Sequence, residues 1–483
     1  MKKISRIFIG IGFLIMAAFP GTGFAESEKL IIDIRSTAAS DVVFRPAFPI
    51  QNQPCEVAVT VHNTGKTAAD RVQVNVQGPD GVKIGTKTIA IPAEGKAQAV
   101  FPWTPARNGY IPLKISASDG ESSNAVAVKA PVVSRTFYFP WFGGHTPEAR
   151  SLRYANVVLS GNAESHAYWR NRGAIPCLWK GVDNKVAPEK YAQILADGVG
   201  DPARDAAGIM IDEMGGYAPE EILAANFFSG LKLYLEKNPQ YFTALWICGS
   251  LQVPYCNITR NAYRKDKGIS LLMLECYTNF QTVEFSSSRR FAYFDQRIDV
   301  ARQQDVLTNA VMTLAIDGHK DKFNLTGYEL EDEVRYIRRN APEMPGIGFF
   351  HFETKSPELI PIADDLCRRY FIEPVLQLYP EDIQFSSRQV KAGDEIEIYA
   401  GVRNLGGMDA ENVKIRLYAD GKLLKEDTRN IPALAEGAAP RAVQLQANWK
   451  APASGYHTFR VEVIPSGSET VLDGTGEQQL WVR

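Results

Sequence analysis

Several short apolar runs in the middle of this sequence stop at a carboxylate or a tryptophan. Gly208-Ile209-Met210-Ile211 leads into Asp212-Glu213, and Leu271-Leu272-Met273-Leu274 leads into Glu275. Phe349-Phe350-His351-Phe352 leads into Glu353, and Trp141, Trp179 and Trp246 stand at the ends of three further runs. A carboxylate among aliphatic neighbours is costly to bury without a task. Paired carboxylates flanked by aromatic rings suit one chemistry above others. One acid protonates a glycosidic oxygen, the second attacks or activates water, and the rings stack on pyranose faces. On residue type and placement, Glu213, Glu275, Glu353 and Asp212 are the candidate catalytic groups. Trp141, Trp179, Trp246, Tyr277 and His351 are the candidate substrate-binding groups. Each has a plainer structural alternative: a helix cap or an Arg partner for Glu213, an orienting role for Asp212, and core packing for the rings and His351. Asp317 and His319, after another run, read as loop residues.

These side chains meet only if the runs that carry them are neighbouring parallel strands. From Arg135 to roughly Tyr379, short apolar runs alternate with amphipathic helical stretches, the pattern of βα architecture. Strands are expected at 136–141, 156–160, 174–179, 208–212, 242–248, 270–276, 309–316 and 346–352. Helical stretches follow each, among them 219–237, 288–305, 328–340 and 360–370. Eight such units over about 245 residues match a (β/α)8 TIM barrel. An open α/β sheet is the rival, although no Gly-rich phosphate loop marks a first βα turn. A barrel of this kind carries its active site at the C-terminal ends of the strands, where the residues named above stand.

The two ends of the chain are similar to each other. Val57 to Val76 reads VAVTVHNTGKTAADRVQVNV, and Ile398 to Leu417 reads IYAGVRNLGGMDAENVKIRL. Asn63 aligns with Asn404, Gly65 with Gly406, Ala69 with Ala410 and Val72 with Val413. Asp80-Gly81 and Asp420-Gly421 follow one residue out of register, and Trp103 precedes Gly109-Tyr110 by the interval at which Trp449 precedes Gly455-Tyr456. Each copy alternates apolar and polar residues between closely spaced turn signals, which predicts an immunoglobulin-like β-sandwich. The Asn-x-Gly sites are expected at tight turns, where glycine supplies a positive φ.

On these residues, the two copies resemble the CARDB modules, the cell-adhesion-related family with an immunoglobulin-like fold. The resemblance covers about 100 residues at each end and implies spacing, packing or adhesion. The middle of the chain resembles the glycoside hydrolase barrels. Gly208-Ile209-Met210-Ile211-Asp212-Glu213 looks like the tip of strand four in several of their clans. That resemblance implies Glu213 as general acid/base, Asp212 as its neighbour or alternative, and Glu275 or Glu353 as the partner carboxylate. Two departures stand against a closer assignment. Strand seven ends on Asp317 where large clans carry a nucleophilic Glu, and Met210 stands where the chitinase-like pattern has Asp.

The N-terminus reads as a secretory leader. Lys2, Lys3 and Arg6 precede the apolar run Ile7 to Phe19, Pro20 ends it, and Gly23 and Ala25 supply small residues before a mature start at Glu26. The expected organisation is a signal peptide at 1–25, a sandwich at 26–134, a barrel at 135–378 and a second sandwich at 379–483. Losing the three leader cations takes the formal net charge from −2 to about −5. With no basic run, a nucleic-acid partner is not indicated. No later stretch is long and apolar enough to span a membrane. The six cysteines are sparse, with no Cys-x-x-Cys, and the six histidines are scattered. Buried thiols are therefore expected rather than a disulfide framework, with no metal and no cofactor. The function expected is a secreted glycoside hydrolase acting on a polysaccharide or glycoconjugate, in the periplasm, at the cell surface or in the medium. The alternative is a non-catalytic glycan-binding or adhesion protein with a degenerate barrel.

Overall fold

A computed structural model of the chain describes residues 29–32, 40–144, 146–183, 185–204, 206–214, 221–248, 268–278, 287–316, 325–350, 356–467 and 469–483. The expected leader, Cys256, Asp317, His319, His351 and Glu353 lie outside the described residues. Among those described, no helix is long and apolar enough to cross a membrane. Cys55, Cys177, Cys276 and Cys367 are buried free thiols.

The N-terminal strands are β1 (Leu30–Ile31), β2 (Val42–Arg45), β3 (Cys55–Asn63), β4 (Ala69–Gln77), β5 (Lys83–Ile91), β6 (Lys96–Trp103), β7 (Gly109–Ser118) and β8 (Ser123–Val132). One sheet has the order β1-β3-β2 with β6 on β3, and the other runs β5-β4-β7-β8. Period-two alternation drives their packing. On β4, Val72, Val74 and Val76 are fully buried between the sheets while Arg71 and Gln73 face solvent.

The barrel follows, closed and parallel throughout, in the order β10-β11-β12-β13-β14-β15-β16-β9. Its strands are β9 (Pro140–Phe142), β10 (Val157–Leu159), β11 (Ile175–Lys180), β12 (Gly208–Met214), β13 (Phe242–Ile247), β14 (Leu271–Glu275), β15 (Ala310–Ala315) and β16 (Ile347–Phe350). The helices are α1 (Ala163–Asn171), α2 (Pro188–Ala196), α3 (Glu221–Lys237), α4 (Ser287–Gln303), α5 (Gly327–Asn340) and α6 (Leu359–Cys367).

The first unit departs from the expected strand–helix alternation, because β9 is followed by a single 3-10 turn, Glu148–Ser151. Other parts of the chain cover that flank. Phe48, from the N-terminal sandwich, sets its ring edge-on to Phe139 at 5.7 Å and stacks on Tyr154 at 6.0 Å. Leu405 and Met408, from the C-terminal sandwich, join the same buried cluster.

The C-terminal strands are β17 (Val375–Gln377), β18 (Ile383–Phe385), β19 (Glu395–Asn404), β20 (Ala410–Ala419), β21 (Lys422–Ile431), β22 (Val443–Lys450), β23 (Gly455–Ile464), β24 (Thr470–Asp473) and β25 (Thr475–Val482). They form one sheet β18-β19-β17-β24 with β22 on β19, and a second sheet β21-β20-β23-β25. β17, which the sequence reading leaves on the barrel side of residue 378, pairs with β19 and β24. The second sheet of each end therefore has the same strand order, and the strand carrying the conserved-spacing Asn pairs with the Trp-ending strand or its counterpart in both.

Asn63 and Asn404 do the same work in the two copies. The Asn63 carboxamide donates to the carbonyls of Thr67 at 2.8 Å and Pro92 at 3.0 Å, and accepts from Gly65 N–H at 3.0 Å. That of Asn404 donates to Met408 at 2.8 Å and Ile431 at 3.1 Å, and accepts from Gly406 N–H at 2.9 Å. The expected positive φ is found elsewhere. Gly65 and Gly406 are not among the positive-φ residues, whereas both residues of Asp80-Gly81 and Asp420-Gly421 are. Crowding accounts for the second glycine: a Cβ on Gly406 would stand 1.9 Å from the carbonyl oxygen of Glu373.

Candidate active site

Alternation along the barrel strands sorts the candidate side chains into two layers. Leu159, Cys177, Met210, Ala244, Trp246, Leu271 and Met273 pack with one another inside the barrel. Ile209, Ile211, Leu245, Leu272 and Leu274 pack outward, against the helices. Trp179, Asp212 and Glu275 lie two residues beyond Cys177, Met210 and Met273 in turn, so the strand period places all three on the inner face at the C-terminal mouth.

Trp141 goes the other way. Phe142 packs with the interior group and Trp141 is one residue out of phase, so its ring is buried between strands and helices against Phe349. The expectation that Trp141 forms part of a substrate platform is corrected by that alternation. Trp246 does face inward, but it is only 1% exposed and forms a floor rather than an open platform. Its ring stands edge-on to Phe142 at 5.6 Å, and Phe350 packs on Phe142 at 4.7 Å and on Tyr277 at 5.2 Å.

Above this aromatic floor the polar groups converge. The Trp246 indole N–H donates to the Tyr277 hydroxyl at 2.8 Å. Burial, then the charge of Glu275, push the Tyr277 phenol well above its ordinary range, and Asp212 adds to the effect. Trp179 is the exposed ring of the set, 57% accessible, and its indole N–H donates to Asp212 Oδ2 at 2.9 Å. This arrangement offers a ring face to a ligand beside a carboxylate held by a hydrogen bond.

Glu213 occupies the next position on β12, where the strand carries an irregularity. Ile211 pairs with Leu245 and Met214 with Ile247, so Asp212 and Glu213 together stand opposite Trp246. A bulge of this type re-aims side chains and is frequent beside active sites. The Glu213 side chain is outside the described residues, as are Glu353 and His351.

Two groups behind Glu275 were not singled out in the sequence. Arg297 on α4 donates to the Cys248 carbonyl at 2.9 Å and the Tyr293 hydroxyl at 3.0 Å, and Tyr293 donates to the Glu275 carbonyl at 3.4 Å. Burial lowers the Arg297 pKa while Cys276, Tyr293 and Glu275 raise it, with a net rise. The i, i+4 spacing of Tyr293 and Arg297 on the helix after Glu275 was the available signal. Further out, Thr278 donates to Glu333 Oε1 at 2.7 Å and Arg290 lies 3.5 Å from the same carboxylate. Burial lifts the Glu333 pKa to about 7.

Residues 374–471 match the CARDB family model. Among solved structures, the chain is similar to the CARDB domain of a Pyrococcus furiosus protein in complex with di-metal ions. The identity is 20%, covering 23% of this chain and 91% of that one, with a TM-score of 0.19. A Bacteroides uniformis β-glucuronidase is similar over 94% of this chain and 62% of its own, at 9% identity and a TM-score of 0.34. A cycloisomaltooligosaccharide glucanotransferase from Paenibacillus sp. is similar over 92% of this chain and 72% of its own, at 11% identity and a TM-score of 0.30. The chain spans less than two thirds of the length of the β-glucuronidase. No curated protein matches the sequence. A closed eight-stranded barrel thus stands beside a CARDB match, in a chain whose wider likenesses include glycoside hydrolases.

Proposed function

We propose that this protein is a glycoside hydrolase whose reacting carboxylates are Asp212 and Glu275, acting outside the cytoplasm on a polysaccharide or glycoconjugate. The observation that carries the reading is the placement of Asp212 and Glu275 at the inner-face ends of two strands that flank β13, beside the exposed ring of Trp179 that is hydrogen-bonded to Asp212. Strands β12 and β14 flank β13, so their tips lean over one sector of the mouth. Glu213 stays a candidate through its place in the bulged tip of β12.

In this reading, Trp179 stacks on a pyranose face and sets the sugar over the aromatic floor. The indole N–H bonded to Asp212 fixes the orientation of its carboxyl group, which suits it to attack the anomeric carbon or to activate water there. Glu275 gives its proton to the departing glycosidic oxygen and recovers it from water. Tyr277 is a positioning residue: its hydroxyl accepts from the Trp246 indole of the aromatic floor.

Asp212→Asn and Glu275→Gln test the assignment on a panel of polysaccharides and aryl glycosides. Loss of a general acid typically costs about 10²- to 10⁴-fold in rate. Glu275→Gln should therefore retain activity only on activated aryl glycosides, whose leaving groups need no proton, while Asp212→Asn should lose turnover with every leaving group. Wild-type turnover by Asp212→Asn would remove the assignment. Glycan binding without hydrolysis by the wild type would favour the non-catalytic alternative.

A further inference from the structure

The outer face of the sheet β21-β20-β23-β25 carries an exposed aromatic pair that the barrel does not use. Tyr456 and Trp481 are direct cross-strand partners, 71% and 49% exposed, with ring centroids 4.8 Å apart and planes inclined at 60°. The next rung on this face is Thr458 opposite Gln479, and the next is Arg460 opposite Glu477. Beyond Arg460, the ring of Tyr418 lies 4.7 Å beneath its guanidinium. Two residues of strand advance roughly 7 Å, so the three rungs make a strip about 14 Å long. It begins with rings and continues with hydrogen-bonding groups.

The N-terminal copy shows what this corner is used for elsewhere in the molecule. The rung equivalent to Tyr456–Trp481 is Tyr110–Pro131. There the Tyr110 hydroxyl donates to Glu373 at 2.9 Å, so that corner meets the segment leading out of the barrel. The C-terminal copy meets the barrel with its opposite end, where Gly407 N–H bonds to the Phe371 carbonyl and Leu405 and Met408 enter the barrel's outer core. Its aromatic corner is left in solvent, with a tryptophan where the first copy has proline.

We infer that the Tyr456–Trp481 corner and its adjoining rungs form a second carbohydrate-binding surface, which takes a neutral polysaccharide chain. An exposed Tyr–Trp pair beside Thr and Gln side chains matches the C–H faces and hydroxyls of pyranoses. Charge argues for a neutral ligand. Arg460 faces Glu477 across the strands, and Arg416 is bonded to Glu426 at 2.6 Å, so the face has no excess of either sign to recruit an ionic polymer. A protein partner is the poorer fit, since the exposed Leu423 stands on β21, two strands from the pair, and the apolar surface is not contiguous. The choice of a sugar ligand rests on the glycan reading of the barrel.

The test is retention of the full chain on insoluble dextran, xylan, cellulose and starch particles, with turnover of soluble aryl glycosides measured in parallel. Trp481→Ala and Tyr456→Ala should each lower retention at least tenfold on the polysaccharide that holds the wild type. Soluble-substrate turnover and the unfolding temperature should stay unchanged, and Trp481→Tyr should restore part of the binding. Equal retention of the double alanine variant and the wild type would overturn the inference, as would wild-type failure to bind any of the four. A concentration-dependent dimer abolished by Trp481→Ala would also overturn it, by naming a second copy as the occupant. Asp212→Asn separates the two readings: it should bind the particles as the wild type does while failing to turn over substrate.

Discussion

Replacing Asn404 with Ala removes four hydrogen bonds from a buried turn. The carboxamide is 3% exposed; it donates to the Met408 and Ile431 carbonyls and accepts the N–H groups of Gly406 and Val375. Alanine leaves two donors and two acceptors to be satisfied in a space closed to solvent. Each buried orphan costs on the order of 1 kcal/mol or more, so the loss should be about 4 kcal/mol. Asn63→Ala removes a weaker set, because its third donor contact, to Ile91, is long at 3.4 Å and several of its partners are half-buried. About 2 to 3 kcal/mol is expected there. Hydrogen exchange of the full chain reads each module separately, through local opening of its own strands. At 1.4 kcal/mol per factor of ten, Asn404→Ala should speed exchange in β19 and β20 by roughly 10³-fold, with strands β3 and β4 unaffected. Asn404→Asp keeps both acceptor roles but sets a buried carboxylate oxygen against the Met408 and Ile431 carbonyls, and should cost at least as much as alanine. An acceleration below tenfold for Asn404→Ala, or a larger effect from Asn63→Ala, would refute the hydrogen-bond accounting.

Glu333 makes stability depend on pH in the direction opposite to a paired surface acid. Its folded pKa, about 7, lies above the ordinary 4.5, so the folded state binds the extra proton. The stability it contributes is complete below the ordinary carboxylate range and is lost as pH rises through about 7. The full difference is about 3 kcal/mol. Thermal unfolding at constant ionic strength should show wild-type stability falling from pH 5 to 8 relative to Glu333→Gln, and the reverse slope would contradict the burial argument. Phe48→Ala opens a cavity between the N-terminal sandwich and the barrel flank. It should cost about 3 to 5 kcal/mol in chemical unfolding, and a loss under 1 kcal/mol would mean that Phe48 does not substitute for the missing helix.

The sequence by itself determined the elements and their type. Alternation along Val72-Gln73-Val74 marks a strand with one buried face, and the unbroken run Leu271 to Leu274 marks a strand covered on both faces. Those patterns are local, because burial acts on each residue of a strand with a fixed period. The repeat also told that Asn63 and Asn404 occupy equivalent turns. Tertiary structure decided which side of each strand a candidate faces. Trp141 and Trp179 read alike in the sequence, each ending an apolar run beside a glycine-containing turn. Only closure of the barrel put Phe142 inside, and thereby turned Trp141 out toward the helices. The same closure brought Asp212 and Glu275, sixty-three positions apart in the chain, to the inner face of two strands that flank β13. It also set a bulge at Asp212-Glu213, which no local pattern announces, because its register is defined only against the neighbouring strand β13. The exposed corner at Tyr456 and Trp481 depends on the fold in the same way. Two similar modules carry equivalent tyrosines, and the end by which each module meets the barrel decides which tyrosine is engaged and which faces solvent.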